Sequence, residues 1–443
     1  MRTILTPALV LVSALLLTAC EDELFVPDFN NPSLEDLSGN PSRSQLASAA
    51  VGLLVSNRLG YADFVRDVGI LGRENYDLDG SDPRFVTELL RSPLDPGSRA
   101  FGGDHWLEPY ASIRGANILL GAVDRATTIT DPEKEALRGF AKTIQALDFL
   151  LIINTRDTNG APIDVDIPIG ELAPIVPKEA VLERIVTLLD EAASHLSAAG
   201  GSFPFNLSSG FDGFDTPATF LQFNRAVKAR VEVYRGNFAA ALQALNESFL
   251  TECSAFDRGV YHSYSTAAGD LPNPIFEDPT TADIRAHPSL ETFAQTQPGG
   301  ELDRRFLEKT FETEPKTQQD HTSDRTFTIY ETAESPVPII RNEELILLRA
   351  EANIGLGNIP SAATDLNCIR ENVGGLAARS DLTAANALDE LLYNKLFSLL
   401  FEGGHRWLDA RRYGVQLPID VPGDVVHLRY PIPRDEELPR GGG

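Results

Sequence analysis

Residues 399–414 read LLFEGGHRWLDARRYG and gather Phe401, Trp407 and Tyr413 beside His405, Arg406, Arg411 and Arg412 in a chain of formal net charge −26. Side chains of these types could supply an acid–base pair, grip an anion or pack a core. Arg406 and Asp409 stand three residues apart, so on a helix they pair on one face. Trp407 and Leu408 then turn inward, and His405, Arg411 and Arg412 meet carboxylates of neighbouring helices. An internal ion-pair network is the simpler reading of such a cluster.

Motifs for catalysis are sparse elsewhere. The sequence has no GxSxG elbow, no HExxH pair and no phosphate loop, and its cysteines stand at 20, 253 and 368, with no CxxC. GLGNIP at 355–360 mimics a dinucleotide fingerprint, but it falls in a helical turn rather than after a strand. The seven histidines never take the i, i+4 spacing that puts two metal ligands on one helical face. NYDLDG at 75–80 offers oxygens at Asn75, Asp77 and Asp79 with Gly80 at the turn; the closing acid of a calcium loop would fall at Val86, so a polar turn is expected. A glycosidase needs two carboxylates of divergent pKa, and with 64 acids in the chain a pair carries no information.

Aromatic residues in loops are the stronger lead, since flat apolar faces stack on them while neighbouring polar groups take hydroxyls. Asn75, Tyr76, Asp77, Trp106, Tyr261, His262 and Tyr264 form the candidate ligand-binding set. Each has a plain alternative: Trp106 precedes a helical run and could anchor its packing, and loop tyrosines often seal the edge of a core.

The elements that must position these residues are helical almost throughout. In VLERIVTLLDEAASHL, residues 181–196, Val181, Leu182, Ile185, Leu188, Leu189, Ala192 and Leu196 share one stripe. Similar stripes cover roughly 44–57, 109–125, 133–153, 219–235, 343–356 and 384–401. ARVEVYRGNFAAALQALN (229–246) aligns without a gap on AEANIGLGNIPSAATDLN (350–367), with Gly236 over Gly357 and Asn237 over Asn358. The pattern predicts two tetratricopeptide-like hairpins, each turning at a Gly-Asn pair. Residues 250–338 are rich in Gly, Pro and aromatics without a sustained period, and are expected to be long ordered loops inserted between the hairpins.

The N-terminus, MRTILTPALVLVSALLLTAC, has the charged start and apolar run of a secretory signal ending in LTAC, the pattern of a bacterial lipobox with lipid on Cys20. Residues 1–19 would be removed, 20–43 would form a lipidated tether, and 44–443 would be a single domain. Such export makes a disulfide between Cys253 and Cys368 permissible without requiring it. With 64 acidic against 38 basic residues, the surface repels phosphate backbones, and nucleic acid is not an expected partner.

Several blocks together resemble the SusD/RagB family of nutrient-binding outer-membrane lipoproteins. They are HWLEPYASIRGANILLGAVDRA (105–126), KEALRGFAKTIQALDFLLIINTRDTNGAPI (134–163), the hairpin at 225–246, and RNEELILLRAEANIGLGNIPSAATDLNCIRENVGGL followed by LLYNKLFSLLFEGGHRWLDARRYG and RYPIPRDEEL. One departure is Gly403 and Gly404 standing where the family usually has a single glycine. The resemblance implies a mostly α, tetratricopeptide-like fold that captures a glycan, peptide or other nutrient without covalent chemistry or a cofactor. It also implies a SusC-like TonB-dependent outer-membrane transporter as partner and a lipid-anchored, surface-exposed location. The competing reading is a tetratricopeptide-type scaffold lipoprotein for envelope assembly, which has little reason to carry the insertion at 250–338.

Overall fold

The computed structural model describes residues 32–168 and 170–441; Cys20 and the signal segment lie outside them. The main helices are α1 (Arg43–Arg58), α2 (Tyr61–Leu71), α3 (Asp104–Arg125), α4 (Asp131–Arg156), α5 (Lys178–Ala198), α6 (Pro217–Tyr234), α7 (Phe238–Glu247), α8 (Asn342–Gly355), α9 (Ile359–Asn372), α10 (Ala387–Ser398) and α11 (His405–Tyr413). Several start where the sequence provides a capping box: Ser42 with Gln45 before α1, Thr130 with Glu133 before α4, and Thr216 with Thr219 before α6. No helix among the described residues is long and apolar enough to cross a membrane.

All seven apolar residues of the α5 stripe are buried. They face α4, where Gly139 lets the helices close up: a Cβ there would come within 2.5 Å of Leu196 Cγ. The repeat is real in three dimensions. α6–α7 and α8–α9 are both hairpins that turn at a left-handed glycine, Gly236 at φ 75° and Gly357 at φ 77°. The following residues repeat as well, Asn237 at φ −86°, ψ 62° and Asn358 at φ −84°, ψ 60°. The hairpins stack on each other through Phe238, whose ring leaves no room for a side chain at Gly355. α1 and α3 to α7 share the larger core, while α2, α10 and α11 enclose a second one.

The insertion is more ordered than loops. β1 (Asn75–Asp77), β2 (Ala161–Pro162), β3 (Ile175–Val176), β4 (Gly259–His262), β5 (Ile284–Ala286), β6 (Thr310–Gln318), β7 (His321–Phe327) and β8 (Val337–Arg341) form three antiparallel sheets, ordered β1-β5-β7-β6, β2-β3 and β4-β8. The first sheet joins the 75–77 segment to the insertion, and Tyr264, Ile284 and Phe327 complete the second core. Cys253 and Cys368 are joined in a disulfide that links the loop after α7 to α9.

The C-terminal cluster is a structural network, with different pairings from those the spacing suggested. Asp409 binds Arg412 at 2.9 Å and Lys395 at 2.7 Å, not Arg406. Arg406 instead donates to the carbonyl of Arg73 at 2.6 Å, because α11 crosses the end of α2. Glu351 completes the group, 3.1 Å from Lys395 and 2.5 Å from Arg412. Arg411 meets carbonyls rather than carboxylates, those of Asn154 at 2.7 Å and Leu428 at 2.8 Å, and lies over the Trp407 ring. Trp407 is fully buried, and burial holds His405 well below the ordinary imidazole pKa, hence neutral.

Candidate binding groove

The seven candidate residues do not converge. Asn75, Tyr76 and Asp77 are all buried on β1. Asn75 fills the space over Gly69, while the Tyr76 hydroxyl donates to Asp420 at 2.9 Å and its ring packs on His287 and His321. Asp77 lies 3.8 Å from Arg66, and burial outweighs that arginine to push its carboxyl up to about 7. NYDLDG is therefore a strand entering a core rather than an open ligand loop.

Tyr261 and His262 sit on β4. The Tyr261 hydroxyl donates to the carbonyl of Asp257, four residues earlier. His262 packs at a tilt on Tyr61 at 4.6 Å and lines a cavity of about 40 Å³ with Arg230 and His405. Burial lowers its pKa to about 3, so it stays neutral. Tyr264 is buried with the Arg58 guanidinium over its ring. Tyr76, His262 and Tyr264 are thus buried within the second core and its edge, while Tyr261 is half-buried.

Trp106 lies differently. It opens α3 and borders a cleft of about 350 Å³ between the first turns of that helix, residues 162–168 and 170–173, and Glu436 and Arg440. This volume falls within the range of small-ligand sites. Trp106 packs on Tyr110 at 4.8 Å, and the Tyr110 hydroxyl donates to the carbonyl of Pro162 at 2.8 Å, which holds the rim segment against the helix. Arg440 fixes the opposite rim through Glu436 and the carbonyl of Ala173. A second groove of about 400 Å³ adjoins it farther along α3, reaching Arg125 and the N-terminal Leu34 and Leu37. Arg114, Val165 and Ile167 line both, so the two grooves meet at these residues and together make a trough along α3.

Arg114, Leu107, Leu172 and Arg440 were not among the sequence candidates. Single arginines and leucines carry no mark of function in a helical chain. One usable signal was present in the alternation Ile163-Asp164-Val165-Asp166-Ile167 between Pro162 and Pro168, a strand pattern in a segment that otherwise reads as a loop.

Comparison with known proteins agrees with this architecture. Residues 308–431 match the SusD family. A SusD-like protein from Bacteroides fragilis superposes with a TM-score of 0.68 at 14% identity, over 92% of this chain and 98% of that one. A SusD-like carbohydrate binding protein, also from Bacteroides fragilis, gives 0.68 at 14% identity over 86% and 87%. A laminarin binding SusD-like protein gives 0.65 at 16% identity over 90% and 97%. No curated protein sequence matches. Residues 308–431 thus carry the sequence pattern of the SusD family, and the fold is similar to that of SusD-like structures over most of the chain.

Proposed function

We propose that this protein is a capture lipoprotein, held on the outer membrane by lipid on Cys20. It would collect an oligomeric nutrient, glycan or peptide, and deliver it to a SusC-like TonB-dependent transporter without chemical conversion. The fold it shares with proteins described as carbohydrate binding and laminarin binding supports this reading. The observation that carries it is the open trough along α3, bordered by exposed apolar side chains such as Leu107 and Leu172. Buried polar side chains elsewhere are largely engaged with one another, as in the Glu351–Lys395–Asp409–Arg412 group.

Calorimetric titration of the purified protein against panels of glycan oligosaccharides and peptides tests the reading, together with affinity isolation from the native envelope. Saturable binding of one panel and recovery of a β-barrel transporter are expected. A flat response to both panels, with recovery of an assembly complex instead, would establish the scaffold alternative.

A further inference from the structure

The trough also points to a ligand class, and this step rests on the capture reading above. Sugars are held by open aromatic faces, and here Trp106 is 3% exposed and packed at a tilt on the half-buried Tyr110. The open surfaces are aliphatic instead, with Leu107 45% and Leu172 46% exposed on opposite walls. Such walls suit the apolar side chains of a peptide better than a ring of hydroxyls.

The rim adds a second observation. Between Pro162 and Pro168, Ile163, Val165 and Ile167 are half-buried while Asp164 and Asp166 are exposed, the alternation of a strand with one face inward. β2 pairs with β3 as far as Pro162 and Ile175, and beyond that pair, among the described residues, no main-chain N–H from 164 to 167 donates to a protein partner. This is an extended edge with its hydrogen-bonding groups unmatched, the feature to which an added strand binds.

Charge supplies a third. Arg440 is matched by Glu436, and Arg125 donates to the carbonyl of Leu37 at 3.0 Å. Arg114, at the junction of the two halves, is exposed and forms no ion pair among the described residues. The trough follows α3 from Trp106 to Arg125, roughly 28 Å at the helical rise of 1.5 Å per residue. At about 3.3 Å per residue, some eight residues of extended chain span it.

We propose that the trough binds an extended peptide that adds as a strand along 164–167. Its apolar side chains rest against Leu107 and Leu172, and a carboxylate, from an acidic side chain or the C-terminus, pairs with Arg114. A neutral glycan would leave the Arg114 charge without a counter-ion.

Fluorescence anisotropy on the full-length protein in detergent tests this with labelled Leu/Val-rich octapeptides ending in a free carboxylate. Saturable binding is expected, weakened about tenfold by C-terminal amidation or by Arg114→Gln, and strongly by Leu172→Asp. N-methylation of alternate peptide nitrogens tests strand addition without altering the protein: one register should abolish binding and the other should leave it intact. Loss that is equal in both registers, or binding indifferent to both protein variants, overturns the proposal. If the octapeptides fail but neutral oligosaccharides bind and Leu172→Asp blocks them, the peptide assignment falls while the capture reading stands. If neither class binds, both fall. Two other occupants would also overturn it: a second copy, seen as a dimer that Leu172→Asp dissociates, or the chain's own residues 21–30, whose deletion would be required for peptide to bind.

Discussion

The indole N–H of Trp407 donates to the main-chain carbonyl of His427 at 2.6 Å, tying α11 to the segment that follows it. That segment has little secondary structure of its own and is held by side chains from elsewhere. Arg73 donates to the carbonyls of Pro418 at 3.1 Å and Val425 at 2.8 Å, and His321 meets Asp424 at 2.8 Å. The residues that first resembled a reaction centre act as a clasp between the last helix and the second core.

Removing the indole should therefore act on stability. Trp407→Ala leaves a large cavity and an unmatched carbonyl, and is expected to cost about 3–5 kcal/mol in denaturant unfolding. Affinity for any ligand, measured below the unfolding transition, should be unchanged. Lost binding at intact stability would make the cluster a site after all.

The second glycine in Gly403-Gly404 has a steric reason. Gly404 caps α11 at φ 70°, and a Cβ there would come within 2.4 Å of Val68 Cγ2. Gly404→Ala combines the left-handed backbone penalty of roughly 1–2 kcal/mol with overpacking of about 1–3 kcal/mol. A double-mutant cycle with Val68→Ala separates the two. The pair should be less destabilised than the sum of its parts, and strict additivity would show that the contact with Val68 does not matter.

The Cys253–Cys368 disulfide closes a sequence separation of 115 residues. By chain entropy alone, closing a loop of this length stabilises by about 4–5 kcal/mol, an upper figure because unfolded chains retain structure. Cys253→Ser with Cys368→Ser should lower the urea midpoint, and adding a thiol reductant should then produce no further change. A reductant shift of equal size in the parent and the variant would mean that the bond is not formed.

Much of this fold was legible because helices repeat their apolar residues every three to four positions. Asn237 and Asn358 gave the hairpin turns to within a residue, and the α5 stripe named its buried face. The site was less legible, for a physical reason. Tyr76 and Tyr264 lie among polar, Gly- and Pro-rich neighbours, and such a context looks the same whether the ring meets solvent or closes a core across a short sheet. The burial of Tyr76 depends on β1 pairing with β5, a partner about 200 residues away that no local pattern specifies. The Arg406–Asp409 pairing failed similarly, since Arg412 offered the same i, i+3 spacing and Lys395, from another helix, helped decide where the carboxylate turned.

Asp148 gives a prediction that depends on pH. It lies buried on α4 and accepts from Asn57 Nδ2 at 2.7 Å. Burial pushes its carboxyl up to about 8, against smaller opposing pulls from Ser112 and Asn57. In the unfolded chain an aspartate titrates near its ordinary value of about 3.9. Between these values the folded state holds a proton that the unfolded state has released. This contribution to stability is therefore present at low pH, is lost as pH rises, and is gone above about 8. Glu74, pushed up to about 7, acts in the same direction, while neutral His262, lowered to about 3, acts oppositely below the ordinary histidine range. Asp148→Asn keeps the shape and an acceptor for Asn57 but removes the titration, and these other groups cancel in the difference between variant and parent. The variant's advantage in unfolding free energy should grow from pH 5 to pH 8 by up to about 4 kcal/mol, at 1.36 kcal/mol per unit. Two parallel stability curves over that interval would show that Asp148 ionises in the folded protein as it does in water.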